Sequence, residues 1–180
     1  MPSIAFKVQQ NGSLTGWTSF SGDTEAYRCI DDSDGTTHDS DASFIELPAL
    51  SVLAPMQGRI SFPIMLMAQI RRPVSLTLNV GHKKTGLGTR EIQVGFYRAG
   101  VKGFHATLPA PGASYAVSSL TFATDPIAGA WTEAGMTGLE ACIESTADSE
   151  GNTRVTLLSG SILYDIESNW IWPEPVAHLY

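Results

Sequence analysis

The fold is decided by Gly58–Val80, GRISFPIMLMAQIRRPVSLTLNV. Ile60, Phe62, Ile64, Leu66, Ala68 and Ile70 fall on one side of an extended chain. Arg59, Ser61, Pro63, Met65, Met67, Gln69 and Arg71 fall on the other, which is the period of two that a strand requires. Pro63 has no N–H to give a ladder, so this strand carries a bulge or an edge there. Met65 and Met67 point to partial burial of the outer face as well, against a neighbouring subunit. Arg72-Pro73 breaks the run, and Val74, Leu76, Leu78 and Val80 then alternate with Ser75, Thr77 and Asn79 as a second half-buried strand.

Toward the N-terminus, Ile4, Phe6 and Val8 alternate as a first strand, and Asn11-Gly12 and Ser21-Gly22-Asp23 are turns. Glu25–Ile30 reads as a short strand with Tyr27 and Cys29 on one face, and Phe44–Leu50 as extended chain. Toward the C-terminus, Gly81–Gly88 (GHKKTGLG) reads as a loop. It is not a phosphate loop, because Lys-Thr precedes Gly86 and a strand follows. Ile92, Val94 and Phe96 form the next strand. A turn is expected over Gly100–Gly103, a short strand over Phe104–Leu108 and a loop at Pro109–Gly112.

Leu120–Ile143, LTFATDPIAGAWTEAGMTGLEACI, combines a strand, a sharp loop and a helical turn. Asp125-Pro126 is the turn signal, Thr132 the expected N-cap, and Glu133 lies near the positive end of the helix dipole. Met136, Leu139 and Cys142/Ile143 recur at helical spacing, so the segment is expected to plug the end of a sheet with Trp131 in the core. Arg154–Ile166 is a long strand with Val155, Leu157, Ile162, Tyr164 and Ile166 as core candidates and a face switch, hence a bulge, near Gly160.

About nine strands joined by Gly/Pro loops predict an all-β fold, an antiparallel β-sandwich of jelly-roll type, with one short helix near residues 132–142. The expected division is a β-sandwich domain over residues 1–168 and a C-terminal aromatic and Pro arm over residues 169–180. The arm holds Trp170, Trp172 and Tyr180, and it either docks on another surface or folds back on its own domain.

Composition bounds the function. Charged residues make up 16% and the net charge is −7, which argues against general nucleic-acid binding. No apolar run is long enough for a membrane span, and the N-terminus lacks the apolar core of a signal peptide. Cys29 and Cys142 both sit in apolar surroundings and are expected to be buried free thiols. Charge is unevenly spread. Residues 71–102 hold seven Lys/Arg and one acid, Glu91, for a net +6, leaving −13 elsewhere. Asp23–Glu46 holds eight acids and one Arg. Such patches pair between copies or partners, or neutralise one another inside one chain. The interface candidates are therefore Asp31, Asp32, Asp34, Arg71, Arg72, Lys83, Lys84, Trp170, Trp172 and Tyr180.

The Asp31–Asp41 segment, DDSDGTTHDSD, invites calcium, but its acids do not follow an EF-hand order, and a solvated acidic loop fits it. His38, His82, His105 and His178 are scattered without metal-ligand spacing, and no nucleophile elbow occurs. The chain is expected not to be an enzyme, with no catalytic residue, no metal and no cofactor.

The order F-x-T-D-P, then A-W-T, then Met/Leu-x-x-Leu resembles a signature of tailed-phage virion structural proteins. Phe122, Thr124, Asp125, Pro126, Gly129, Trp131, Thr132, Met136, Leu139 and Ile143 fit it. Ala128 replaces a usual Thr, and Ala141-Cys142 stands where Gly is expected. Trp17, Tyr27, Ile30, the Asp-rich loop, Phe44 and Leu47 are similar too, and the middle matches only in strand pattern. The resemblance implies a β-sandwich protein of the virion, made in the bacterial host cytoplasm. The resemblance does not place the protein within the virion; the expected role is a capsid decoration or cement subunit that binds the major capsid protein, with a tail or connector component, bound to tail or connector proteins, as the nearest variant. A homo-oligomer is expected, with neither nucleic acid nor membrane as partner. The alternative is a glycan-binding fibre module presenting Trp17, Trp131, Trp170 or Trp172, although Trp131 and Trp17 are better explained as core.

Overall fold

Strand partners account for the architecture. The structure is a computed structural model, and it describes residues 1–7, 19–23, 26–30, 41–47, 57–61, 72–85, 92–145 and 152–165. The described strands are β1 (Ser3–Lys7), β2 (Ser19–Ser21), β3 (Phe44–Leu47), β4 (Gln57–Ser61), β5 (Arg72–Thr85), β6 (Ile92–Arg98), β7 (Val101–Thr107), β8 (Ala116–Phe122), β9 (Leu139–Ser145) and β10 (Asn152–Asp165). One helical turn, α1 (Glu133–Met136), precedes β9, and a 3₁₀ turn spans Ala26–Cys29.

From β3 to β10 the chain is one long folded hairpin. β3 pairs with β10, β4 with β9, β5 with β8 and β6 with β7, all antiparallel. Rolling that hairpin up adds the pairs β5 with β10 and β6 with β9. Two sheets result, in the orders β3-β10-β5-β8 and β4-β9-β6-β7, which is the jelly-roll arrangement. β2 extends the first sheet beyond β3. β1 pairs with Ser159–Leu163 of β10, past the three residues that β3 occupies.

The core is what the period-two pattern requires. Leu76, Leu78 and Val80 of β5 face Ile92, Val94 and Phe96 of β6 and Leu139, Ala141 and Ile143 of β9 across the sandwich, each at most 1% exposed. Phe96 stands edge-on to Phe122 (4.9 Å, 74°) and to Trp131 (6.0 Å, 90°). Such pairs add about 0.5–1.5 kcal/mol each to the burial itself. Cys29 and Cys142 are both buried thiols. No described helix is long and apolar enough to cross a membrane.

Several local expectations change. Residues 26–29 form a 3₁₀ turn, not a strand. Ile30 N–H closes it on Tyr27 O at 3.2 Å, and Cys29 and Ile30 are both buried, which alternation forbids. Gly81–Thr85 belongs to β5, because β10 is equally long and holds it in register from Thr85 opposite Asn152. The expected turn over Gly100–Gly103 is a two-residue hairpin at Ala99-Gly100, with φ of 48° and 83°. The face switch in β10 falls between Val155 and Leu157, not at Gly160. Leu157 lies over Gly81, where a Cβ would come within 2.9 Å of its own, and Leu158 takes the core position. Gly160 has a different use: Phe6 lies on it, and a Cβ there would meet the ring at 2.5 Å.

The short helix is a single turn. Gly138, at φ 68°, ends it, and β9 follows. Leu139 and Ile143 are four apart, so the spacing that suggested one helix face also suits one strand face. Phe62–Arg71, the Asp31–Ser40 part of the acidic segment, Trp17 and the 169–180 arm lie outside the described residues.

Candidate functional site

Two buried carboxylates organise the polar chemistry, one at an end of the sandwich and one on the face of a sheet. The first is Asp125, in the turn after β8. Its Oδ1 accepts the N–H of Ile127 (2.8 Å) and of Ala128 (3.2 Å), the local pattern for which Asp is favoured in turns. Its Oδ2 accepts from Arg98 Nη2 at 2.5 Å, and the Asp125 side chain is fully buried. Arg98 ends β6 in one sheet and Asp125 follows β8 in the other, so the pair ties the two sheets at this end. Trp131 Nε1 donates to Phe122 O at 3.0 Å, and Thr132 Oγ1 accepts from Gly135 N at 3.0 Å as the N-cap. A Cβ on Gly135 would stand 3.2 Å from Asp125 Oδ2, so α1 sits directly on the ion pair.

Shallow grooves flank this plug. One, of about 420 Å³, runs between Arg72, Asp165, Thr124 and Trp131. The other, of about 450 Å³, is lined by Phe104, Thr121, Thr124, Asp125 and Pro126. Phe104 is 69% exposed and Val101 is 56% exposed, both on β7, an edge strand. These grooves present apolar walls and hydroxyls, and Asp125 is already neutralised by Arg98. Arg72 and Asp165 add two charged groups to the first groove.

The second carboxylate is Glu144 on β9, 3% exposed. Alternation places Ala141 and Ile143 toward the core, so Cys142 and Glu144 lie on the opposite face of the same sheet. Tyr97 on β6 donates its hydroxyl to Glu144 Oε1 at 3.0 Å, and Lys102 on β7 places its ammonium on Oε2. His105 Nδ1 is 3.3 Å from Oε2, and Cys142 Sγ is 3.9 Å from Oε1. Burial pushes Glu144 up, but hydrogen bonds from Lys102 and Tyr97 outweigh it and hold the carboxyl below its usual range. Burial lowers His105, and the Glu144 charge only partly offsets this. Among the described residues, His105, Cys142 and Glu144 form a group of three donors that could hold a metal ion, all within 4.8 Å of one another.

At the far end of β5, an exposed knot surrounds Asp41. Lys83 Nζ (2.5 Å), Arg154 Nη1 (2.9 Å) and Tyr115 OH (3.2 Å) all reach its carboxylate. The hydrogen bond from Lys83, then that from Arg154, draws its pKa down to about 2. Lys83 also lies 4.5 Å from the Tyr115 ring centroid. Of the interface candidates, Lys83 is thus engaged inside its own chain. Lys84 donates its backbone N–H to Gly112 O, and exposed Arg72 lines the first groove. Asp31, Asp32, Asp34, Arg71, Trp170, Trp172 and Tyr180 lie outside the described residues.

Neither ion pair was visible in the sequence, since Arg98 and Asp125 are 27 residues apart and Lys102 and Glu144 are 42 apart. One signal did exist for the second: Gly95 inside an alternating strand. A Cβ there would lie 2.0 Å from His105 Cδ2, so the imidazole rests on the β6 backbone.

No family model matches the chain, and no curated protein does. Among solved structures it is similar to the enzymatically active domain of tailspike protein 4 of bacteriophage CBA120. The TM-score is 0.46 at 11% identity, over 89% of this chain and 19% of that one, so the chain spans about a fifth of the matched structure. The expectation that the chain is not an enzyme is corrected by this match: the domain it resembles is described as enzymatically active, and the non-enzymatic reading is withdrawn.

Proposed function

We propose that this chain is a jelly-roll subunit of a tailed-phage virion, bound to the head surface as a decoration or cement protein. The observation that carries the reading is the exposed apolar edge beside the Asp125–Trp131 plug. Phe104 and Val101 stand out from edge strand β7, and Val117 is 36% exposed on edge strand β8. Exposed apolar side chains on strands that end the described sheets favour contact with another protein. The signature that suggests a virion protein falls on the plug that holds this edge in place. Phe104 N–H donates to Pro126 O at 3.2 Å, and a Cβ on Gly103 would meet Ile127 at 2.8 Å.

Particles that lack the protein provide the test. The purified chain should bind them and resist elution by salt, because apolar burial is not screened as ion pairs are. Phe104→Asp should weaken binding about tenfold. Binding to isolated tails instead would move the protein to the tail. Retention on polysaccharide without binding to either particle would favour a glycan-binding module and end the head-surface reading.

A further inference from the structure

We propose that His105, Cys142 and Glu144 form a binding site for a divalent transition metal of the Zn²⁺/Co²⁺ class, which enters in exchange for the Lys102 ammonium. The site spans three strands. Cys142 and Glu144 are two apart on β9, and so share its outer face. His105 is on β7, with β6 between. Two strand spacings separate β7 from β9, about 10 Å, and a side chain at the crossing point would block the way. The residue there is Gly95, in register with both His105 and Cys142. The imidazole lies where any Gly95 side chain would be, and from there Nδ1 reaches to 3.3 Å from Glu144 Oε2.

The imidazole is also unspent. The His105 side chain is 2% exposed, and neither ring nitrogen makes a hydrogen bond of good geometry. Buried polar atoms in that state are costly, and a ligated metal would satisfy one. The donor set of one nitrogen, one sulfur and one carboxylate oxygen suits zinc or cobalt rather than a hard ion such as calcium. Bonds of about 2.0–2.3 Å around a tetrahedral ion place donors about 3.3–3.6 Å apart. The three donors lie within 4.8 Å of one another, so the group closes by about 1.5 Å at most. Tyr97 already fixes Glu144 through Oε1, the outer support that metal-binding carboxylates use, and leaves Oε2 directed at the ion.

Charge balances. Before binding, the Glu144 carboxylate is neutralised by Lys102. On binding, Cys142 gives its thiol proton to solvent, so thiolate and carboxylate together offset the two charges of the ion. The Lys102 side chain, 43% exposed, turns out into water.

Chelator-treated full-length protein titrated with Co²⁺ tests this. A thiolate-to-cobalt charge-transfer band should grow and saturate at one equivalent. Cys29→Ser should keep the band and Cys142→Ser should lose it. Lys102→Met, which removes the competing cation, should bind Co²⁺ about tenfold more tightly. No band in the unmodified protein, or an undiminished band in Cys142→Ser, overturns the site. Unchanged or weaker binding by Lys102→Met overturns the exchange. Should Cys142→Ser fail to fold, the unmodified protein is alkylated in mild denaturant with and without Co²⁺. Protection that maps to Cys142 supports the site, and equal labelling with and without the ion overturns it.

Discussion

Asp125 and Glu144 are both carboxylates buried in the same sandwich, yet they are held in opposite ways. Asp125 is matched by groups that cannot change: two backbone N–H groups of its own turn and a guanidinium that stays charged at any ordinary pH. Glu144 is matched by groups that can: a lysine with a solvent route, a phenol, an imidazole and a thiol. The first arrangement is made to stay. The second leaves a negative charge surrounded by side chains that can re-sort around a new cation. Burial of an acid therefore says little by itself about role, and the mobility and titration of its partners say more.

The largest effect that separates the two is on folding stability. Asp125→Ala leaves Arg98, whose side chain is only 18% exposed, without its counter-charge, and also removes both turn hydrogen bonds. Loss of one partner of a buried pair costs about 3–5 kcal/mol, to be read from urea or guanidinium unfolding. Glu144→Gln should cost less, about 1–2 kcal/mol, because Lys102 can turn into solvent and the amide still accepts from Tyr97. Equal losses at the two sites would erase the distinction.

The contrast sharpens with pH. In metal-free protein, the folded Glu144 carboxyl titrates below its ordinary value of 4.5. At pH values between the two, the unfolded chain binds the extra proton, so stability rises with pH through this window. The contribution is present above about 4.5 and is lost as pH falls through the lower folded value. Asp41 adds a loss of the same sign between its ordinary 3.8 and about 2. Acid unfolding curves of Glu144→Gln should lose the upper part of this slope and keep the part due to Asp41. A variant curve that parallels the parent throughout would mean that Glu144 carries none of it.

The strand pattern was legible wherever one face is apolar. Leu76, Leu78 and Val80, like Ile92, Val94 and Phe96, alternate in sequence and are buried, whereas Val74 is only half-buried because the register with β10 shifts beside it. The N-cap at Thr132 and the core position of Trp131 were readable as well, because both are settled within a few residues. Gly81–Thr85 was misread because its strand character comes from the register with β10, not from its own polar residues. The same cause hid both ion pairs, since each joins residues brought together only when the long hairpin rolls up. Sequence patterns report what each segment does against one neighbour. A cluster drawn from β6, β7 and β9 depends on three.

The smallest effect concerns the turn that serves both sites. Ala99-Gly100 joins β6 to β7, with Arg98 on one side, bound to Asp125, and Lys102 beyond Val101 on the other, bound to Glu144. Both turn residues have positive φ, 48° at Ala99 and 83° at Gly100, as this tight hairpin demands. Glycine meets that demand without strain. For alanine the left-handed conformation costs about 1–2 kcal/mol. Ala99→Gly removes the strain but adds chain entropy to the unfolded state, which takes back part of the gain. The net expectation is a stabilisation of at most about 1 kcal/mol, seen as a higher midpoint with an unchanged denaturant slope. Because the turn lies between Arg98 and Lys102 and its strain is in its own backbone, the gain should persist in both the Asp125→Ala and the Glu144→Gln backgrounds. A gain that vanishes in only one of them would show that the hairpin is held by that carboxylate rather than by its own backbone.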